Sequence, residues 1–372
     1  MCFFLTYTVS QLPFSRLADG HSKKTIVALG FVFFATMTFL SGIVPTFILF
    51  LLVRALVGLG QGSFYGPAYG LINENLSDRH ATLGMAIINS GQGVGQIFGT
   101  LLASTLVIQN RDHWSTPFLV IALPTMMVGF LYLYGLPNEG RLTRQGEKSW
   151  NAHGGQQHGA KLQNVIYDGQ KQSFGRTLAP KNWRPFFKRQ LIGAYWLLFC
   201  SIYGQIAMLT WLPTFLLGMK SIDQRFVGLI ASIVPLIAIP SALILAKKLD
   251  QTAHARRFLY LFVPLSALAL VLGSLSQNST QIVLALILYG LTGKMTIDPL
   301  LLQVIRRHAP KGRVATTFGL YNFLGMLASI TAPYLTGWLT DATGSLAVGF
   351  DLAAALLLLG LLGFGLSQRN AG

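Results

Sequence analysis

The chain is 372 residues long, 52% hydrophobic and only 11% charged, with a mean hydropathy of +0.53. Its 28 Lys and Arg against 12 Asp and Glu give a formal net charge of +16 and a pI near 10.1. Soluble domains average about 25% charged residues, so the balance excludes a soluble nucleic-acid-binding protein and leaves an integral membrane protein.

Crossing the hydrocarbon takes about 20 mostly apolar residues. Eleven runs qualify or nearly do: 2–16, 25–43, 46–71, 83–107, 117–136, 190–216, 226–246, 257–275, 280–304, 314–338 and 346–367. The first is short, and no basic n-region precedes its apolar core, so it reads as a spanning helix lacking its outer end, not a signal peptide. The one long polar stretch, 137–189, is rich in Gly, Gln, Lys and Arg and resembles a linker. The chain thus divides into an N-terminal bundle of five helices (1–136), a loop (137–189) and a C-terminal six-helix bundle (190–372).

Twenty-three of the 28 cations fall in alternate breaks and at the C-terminus, while Arg111, Lys220 and Arg225 lie in the opposite breaks. The positive-inside bias makes the long loop and the C-terminus cytoplasmic in a multi-pass protein of the cell (inner) membrane. Arg54 and Lys294 are the two cations left inside spanning runs.

Cys2 and Cys200 lie in apolar runs without metal-ligand spacing and read as packing residues. All seven histidines lie in polar breaks, and no HExxH, GxSxG or P-loop string occurs. No enzyme, metal site or cofactor is expected.

A charge at bilayer depth costs about 2.5–3.5 kcal/mol on insertion scales, so such residues face a bundle interior and find partners. Arg54, Gln61 and Tyr65 share one helical face in the third run. Arg54 suits a carboxylate, which a guanidinium binds bidentately, or a structural partner on a neighbouring helix. Gln61 cannot titrate. Lys294 has Asp298 one turn along the same face; the pair either neutralises itself or offers Lys294 to an anion while Asp298 carries a coupling proton. Asn89, Gln92, Gln96, Tyr203, Gln205, Tyr321 and Asn322 are further polar groups at membrane depth, suited to a polyhydroxylated substrate or to interhelical bonds. Gly58, Gly62, Gly66 and Gly70, and again Gly91, Gly95 and Gly99, recur every four residues and suit close helix packing.

The halves repeat. Leu17-Ala18-Asp19 ahead of Lys23-Lys24 recurs as Leu249-Asp250 ahead of Arg256-Arg257, and Arg79-His80-Ala81-Thr82 recurs as Arg313-Val314-Ala315-Thr316. Offsets of 231 and 234 indicate a duplicated bundle, with the site at the repeat interface. The same offset brings Lys294 level with Gly60–Ser63.

Phe14-Ser15-Arg16-Leu17-Ala18-Asp19 with Lys23-Lys24 resembles the loop signature of the major facilitator superfamily, with serines at two of its glycines. Arg54 through Gly62 resembles the motif of that family's fourth helix, and Trp211-Leu212-Pro213-Thr214-Phe215 is similar to the end of its seventh in the anion:cation symporter branch. The resemblance implies an all-α, two-bundle membrane fold whose eleven helices match the family's helices 2–12. It also implies a truncated chain without helix 1, a quarter of the cavity lining. It implies alternating access and uptake of a small organic anion, a carboxylate or sugar acid, by symport with a proton or cation. The substrate contacts are then Arg54, Gln61, Tyr65, Asn89, Tyr203, Gln205, Lys294, Tyr321 and Asn322, with Asp298 as the coupling candidate. The branch often has a titratable glutamate where this chain has Gln61. Asp19, Lys23, Lys24 and Arg313 form a cytoplasmic gate, Asp19 facing the start of the penultimate helix. The expected partners are the small molecule, the coupling ion and the lipid bilayer, with no nucleic acid, and the protein acts as a monomer. The alternatives are an exporter of a drug or neutral solute, and a transport-inactive membrane protein.

Overall fold

The computed structural model describes residues 2–77, 80–103, 105–106, 113–135, 183–218, 226–251 and 255–368. Most of the 137–189 loop, with Arg79, Arg111, Lys220 and Arg225, lies outside the described residues. Among the described residues the chain is helical, without a strand. In order, the helices before the loop are α1 (Cys2–Gly20), α2 (Lys23–Ser41), α3 (Phe47–Gln61), α4 (Tyr65–Asn75), α5 (Ala81–Ala103) and α6 (Thr116–Gly135). After a 3₁₀ turn (Arg184–Phe187) come α7 (Arg189–Gly218), α8 (Val227–Gln251), α9 (Ala255–Ser274), α10 (Ser279–Thr292), α11 (Lys294–His308), α12 (Val314–Thr343) and α13 (Ala347–Gln368).

Local chemistry sets the boundaries. The Ser22 hydroxyl accepts from the Thr25 amide at 3.3 Å and caps α2; Asn278 does the same for α10 through Gln281 at 3.0 Å. Gly344 ends α12 in the left-handed conformation, φ 72°, which glycine adopts without penalty.

Two of the expected runs are each two helices. Run 46–71 breaks at Gly62–Phe64, where the bonds tighten to Ser63 N–Gly60 O (3.3 Å) and Phe64 N–Gln61 O (3.1 Å). Pro67 follows in the first turn of α4, where its missing amide proton leaves no bond unmade. Run 280–304 breaks at Gly293, whose ψ of −167° leaves the helix before α11 restarts at Lys294. The two breaks stand at the offset of the internal repeat, so they are the same feature in each half. Counting each broken run once, nine spans among the described residues are long and apolar enough to cross a membrane. The helices α1 and α5 bring the rods to eleven.

In the first bundle α2 packs on α3 and α6, and α1 on α3; in the second, α7 packs on α12 and α13, α8 on α10, and α9 on α10 and α13. The apolar window of α7 is 78% buried against 11% for α6, so α7 is an interior helix and α6 a peripheral one. The seam between bundles is α1 and α4 against α12, and α5 against α8 and α11. Gly62 and Gly66 let α3 and α4 close on Ser10 and Ser15 of α1, whereas a Cβ on Gly91, Gly95 or Gly99 of α5 would meet open space. The first glycine series therefore packs helices and the second does not. Lys23, Lys24, Lys247, Lys248, Arg306, Arg307, Lys311 and Arg313 mark one end of the molecule, called the basic end below.

Candidate functional site

The break before α11 positions the most demanding charges in the interior. Lys294 opens the helix, and its ammonium lies 2.6 Å from Asp298 Oδ2 one turn on, with the two side chains 8% and 1% exposed. The same carboxylate oxygen accepts from Asn89 Nδ2 of α5 at 2.8 Å, so the ion pair is bonded across the seam. Asp298 Oδ1 is buried with no hydrogen-bond partner. Tyr65 and Tyr69 of α4, stacked at 4.3 Å, and Tyr321 of α12 stand close enough to feel the Asp298 charge.

A second crossing lies beside it. Asn322 of α12 donates to Gln11 Oε1 at 2.8 Å and to the Tyr7 hydroxyl at 3.0 Å, both on α1. Asn89 and Asn322 are related by the repeat, and each bonds to the opposite bundle. The Tyr321 hydroxyl and Gln11 Nε2 are buried without partners here. A cation, a carboxylate and unspent hydroxyl and amide groups thus converge from α1, α4, α5, α11 and α12. Such a set can hold a carboxylate and several hydroxyls reversibly.

Not every expected contact joins it. Arg54 turns into its own bundle: Nε and Nη2 donate to Ser41 Oγ of α2 at 3.1 and 2.7 Å, and the guanidinium lies 4.6 Å from the Phe118 ring of α6. Gln61 ends α3 half-buried at the first break. The Tyr203 hydroxyl meets Thr336 Oγ1 of its own bundle at 3.4 Å, and Gln205 is buried on the same helix. Gln92 is exposed and Gln96 half-buried on α5. Among the described residues no cluster of three His, Cys, Asp or Glu side chains is placed to hold a metal.

At the basic end Asp19 accepts from the backbone amides of Ala315 (3.0 Å) and Thr316 (3.1 Å) and from the Thr316 hydroxyl. These amides are in the first turn of α12, where no intrahelical acceptor exists. Burial pushes the Asp19 carboxyl up to about 6, outweighing those bonds and the nearby Lys23 charge. Lys23 pairs with Glu74 Oε1 at 3.0 Å, Lys24 is buried, and Arg313 precedes α12 with its side chain exposed. Arg16 stacks over Trp183, 4.2 Å from the ring centre, just before α7.

Sequence reasoning missed Asp250. It accepts from the amides of Thr82 (3.1 Å) and Leu83 (2.9 Å), in the first turn of α5. Each aspartate thus caps a helix of the opposite bundle at the same two positions. The signal lay in the repeat itself, which pairs Asp250 with Asp19 and Thr82 with Thr316. Tyr7, Gln11 and Tyr69 were also missed; Tyr7 and Gln11 are one turn apart in the first run, a spacing that marks a polar face.

The profile of the Major Facilitator Superfamily matches residues 1–333. The probable galactarate/D-glucarate transporter GudP of Bacillus subtilis (strain 168) is 26% identical over 383 residues, covering 95% of this chain and 80% of that protein. The probable L-galactonate transporter of Escherichia coli (strain K12) is 23% identical over 379 residues, covering 97% and 78%. Among solved structures, the human organic anion transporter MFSD10 (TETRAN) superposes with a TM-score of 0.69 at 16% identity, covering 98% of this chain and 82% of that one, a likeness of fold.

Proposed function

This chain belongs to the major facilitator superfamily, and on that footing we propose that it takes up a small organic anion, a carboxylate or sugar acid, by symport. It is a multi-pass secondary transporter and not an enzyme. The observation that carries the substrate class is the ammonium of Lys294, buried at a helix break on the seam. The transporters of galactarate, D-glucarate and L-galactonate among its relatives support the same class.

In this reading the basic end is cytoplasmic, the loop 137–189 joins the bundles there, and the protein works as a monomer in the cell membrane. The described arrangement is closed at the basic end by Asp19 and Asp250, and the substrate enters from the opposite side. Lys294 binds the carboxylate; Tyr65, Asn89, Tyr321 and Asn322 bind its hydroxyls. Gln61, Tyr203 and Gln205 shape the lining, and Arg54 braces α3 against α2 and α6. Alternating access is a rocking of the bundles about this site.

The test is uptake of radiolabelled galactonate into cells expressing the protein. Lys294→Gln is expected to abolish uptake at an unchanged amount of protein in the membrane. Undiminished uptake would remove the anion-site reading.

A further inference from the structure

Within the second bundle α13 packs along both α7 and α9. Two glycines near its end set how closely. A Cβ on Gly363 would stand 2.7 Å from the Trp196 ring of α7, and one on Gly365 would stand 2.8 Å from the Tyr260 hydroxyl of α9. One ring from each flanking helix therefore lies against α13 at the basic end, yet Trp196 and Tyr260 remain 42% and 49% exposed. Amphipathic rings of this kind sit at the headgroup level of a bilayer.

Each flanking helix carries arginine on the same face as its ring. Arg189 is two turns before Trp196 on α7, and Arg256 and Arg257 are one turn before Tyr260 on α9. All three are exposed. Arg189 Nη2 donates to the Leu366 carbonyl at 3.0 Å, one of the last four of α13, which have no helical partner. That bond takes one of five N–H groups and holds the guanidinium against the end of α13. Among the described residues none of the three pairs with an acid. The acids described at that end are engaged elsewhere, Asp19 and Asp250 in the helix caps and Glu74 with Lys23. The three arginines also stand in the first turns of α7 and α9, where the helix dipoles oppose a cation and favour an anion. From this rim Leu366, Leu362 and Leu359 run along the exposed face of α13.

We propose that this surface binds an anionic phospholipid. The phosphodiester lies on Arg189, with Arg256 and Arg257 completing the cationic rim, because a guanidinium offers phosphate two parallel bonds. Trp196 and Tyr260 flank the glycerol backbone, and the acyl chains follow Leu366, Leu362 and Leu359. A soluble anion would use the arginines alone and leave the rings and the leucine stripe without a partner; a lipid uses all three features in the order in which they occur along the helices. The surface belongs wholly to the second bundle, so the lipid moves with that bundle and stays out of the seam. It is independent of the identity of the transported substrate.

The experiment titrates the purified full-length protein, in a neutral detergent at about 0.15 M salt, with phosphatidylglycerol or phosphatidylcholine brominated on the acyl chains. Quenching of tryptophan fluorescence reports binding. Phosphatidylglycerol is expected to quench wild type at much lower concentration than phosphatidylcholine, and Trp196→Phe to lose most of that difference. Arg189→Gln combined with Arg256→Gln and Arg257→Gln is expected to weaken phosphatidylglycerol binding about 100-fold, from about fivefold per arginine near the membrane surface. Removing the same charge elsewhere at the basic end, by Lys247→Gln with Arg307→Gln and Lys311→Gln, is expected to change it by less than about twofold, since charges beyond a Debye length are screened. An excess of inorganic phosphate is expected to leave the quenching unchanged. Equal losses in the two triple variants would reduce the effect to the general charge of that end and overturn the site. Undiminished phosphatidylglycerol-specific quenching in Trp196→Phe would place the lipid elsewhere, and relief by phosphate would make the occupant a soluble anion; either overturns the proposal. So does equal quenching of wild type by the two lipids, a readout that needs no variant to fold.

Discussion

Arg54 and Lys294 are both cations in apolar runs, yet their surroundings give them different work. Arg54 meets no carboxylate among its described contacts; a hydroxyl of α2 and a ring of α6 receive its guanidinium. That matches the planar, weakly hydrated guanidinium, which both stacks and donates twice, and not a compact ammonium. Arg54→Lys is therefore expected to lower stability in detergent by about 1–2 kcal/mol through the lost stacking and one lost bond. Galactonate affinity should stay within about twofold, the effect of a residue outside the site. A thermal melt and a binding curve on the same preparation check both halves; a large loss of affinity would return Arg54 to the substrate. That both residues lie at depth was legible from hydropathy. Which one meets the opposite bundle was not, because Ser41 and Phe118 are related to Arg54 by tertiary packing and not by helical period.

Among the elements, the helix breaks were invisible to the apolar pattern, which averages over a window and passes through Gly62 and Gly293 without interruption. At Gly293 the constraint is local and steric. A Cβ on Gly293 would stand 2.5 Å from the Tyr289 carbonyl oxygen and 2.9 Å from its ring, distances no side chain tolerates without a backbone shift. The shift would fall on Lys294, the next residue. Gly293→Ala is expected to weaken galactonate binding by at least about tenfold, the scale of an ångström-sized misplacement in a preorganised site. Gly91→Ala, whose Cβ meets open space, is expected to change affinity by less than about twofold. Matching losses in the two variants would mean that the break does not position the ammonium. The even spacing of the glycines in α5 suggested packing, but periodicity reports only which face a residue shares and not whether anything covers that face.

For the whole molecule, the charge asymmetry and the duplication were both legible, and together they place two helix caps at the basic end. Asp19 caps α12 and Asp250 caps α5, each from the other bundle. A cap of this kind contributes about 0.5–2 kcal/mol, so the pair holds the end closed without locking it. Burial lifts Asp19 to about 6 in the closed arrangement. When the end opens, water returns to the carboxylate and its affinity for protons falls toward the ordinary carboxylate value, about 3.9. Between those values the closed form holds a proton that the open form has released. Lowering the pH through about 6 therefore favours closure, and above that window Asp19 is ionised in both forms and adds no pH dependence. Distances between spin labels on Asn75→Cys and Lys311→Cys, exposed at that end on opposite bundles, should show the closed population rising as pH falls from about 7 to 5. Asp19→Asn should flatten this response. Asp19→Ala combined with Asp250→Ala, which remove the accepting oxygens, should open the end further than either change alone, because the two caps are separate bonds on separate helices whose effects add. A response that survives in Asp19→Asn would assign the pH sense to another group, and a double variant no more open than the single ones would show that one cap holds the end by itself.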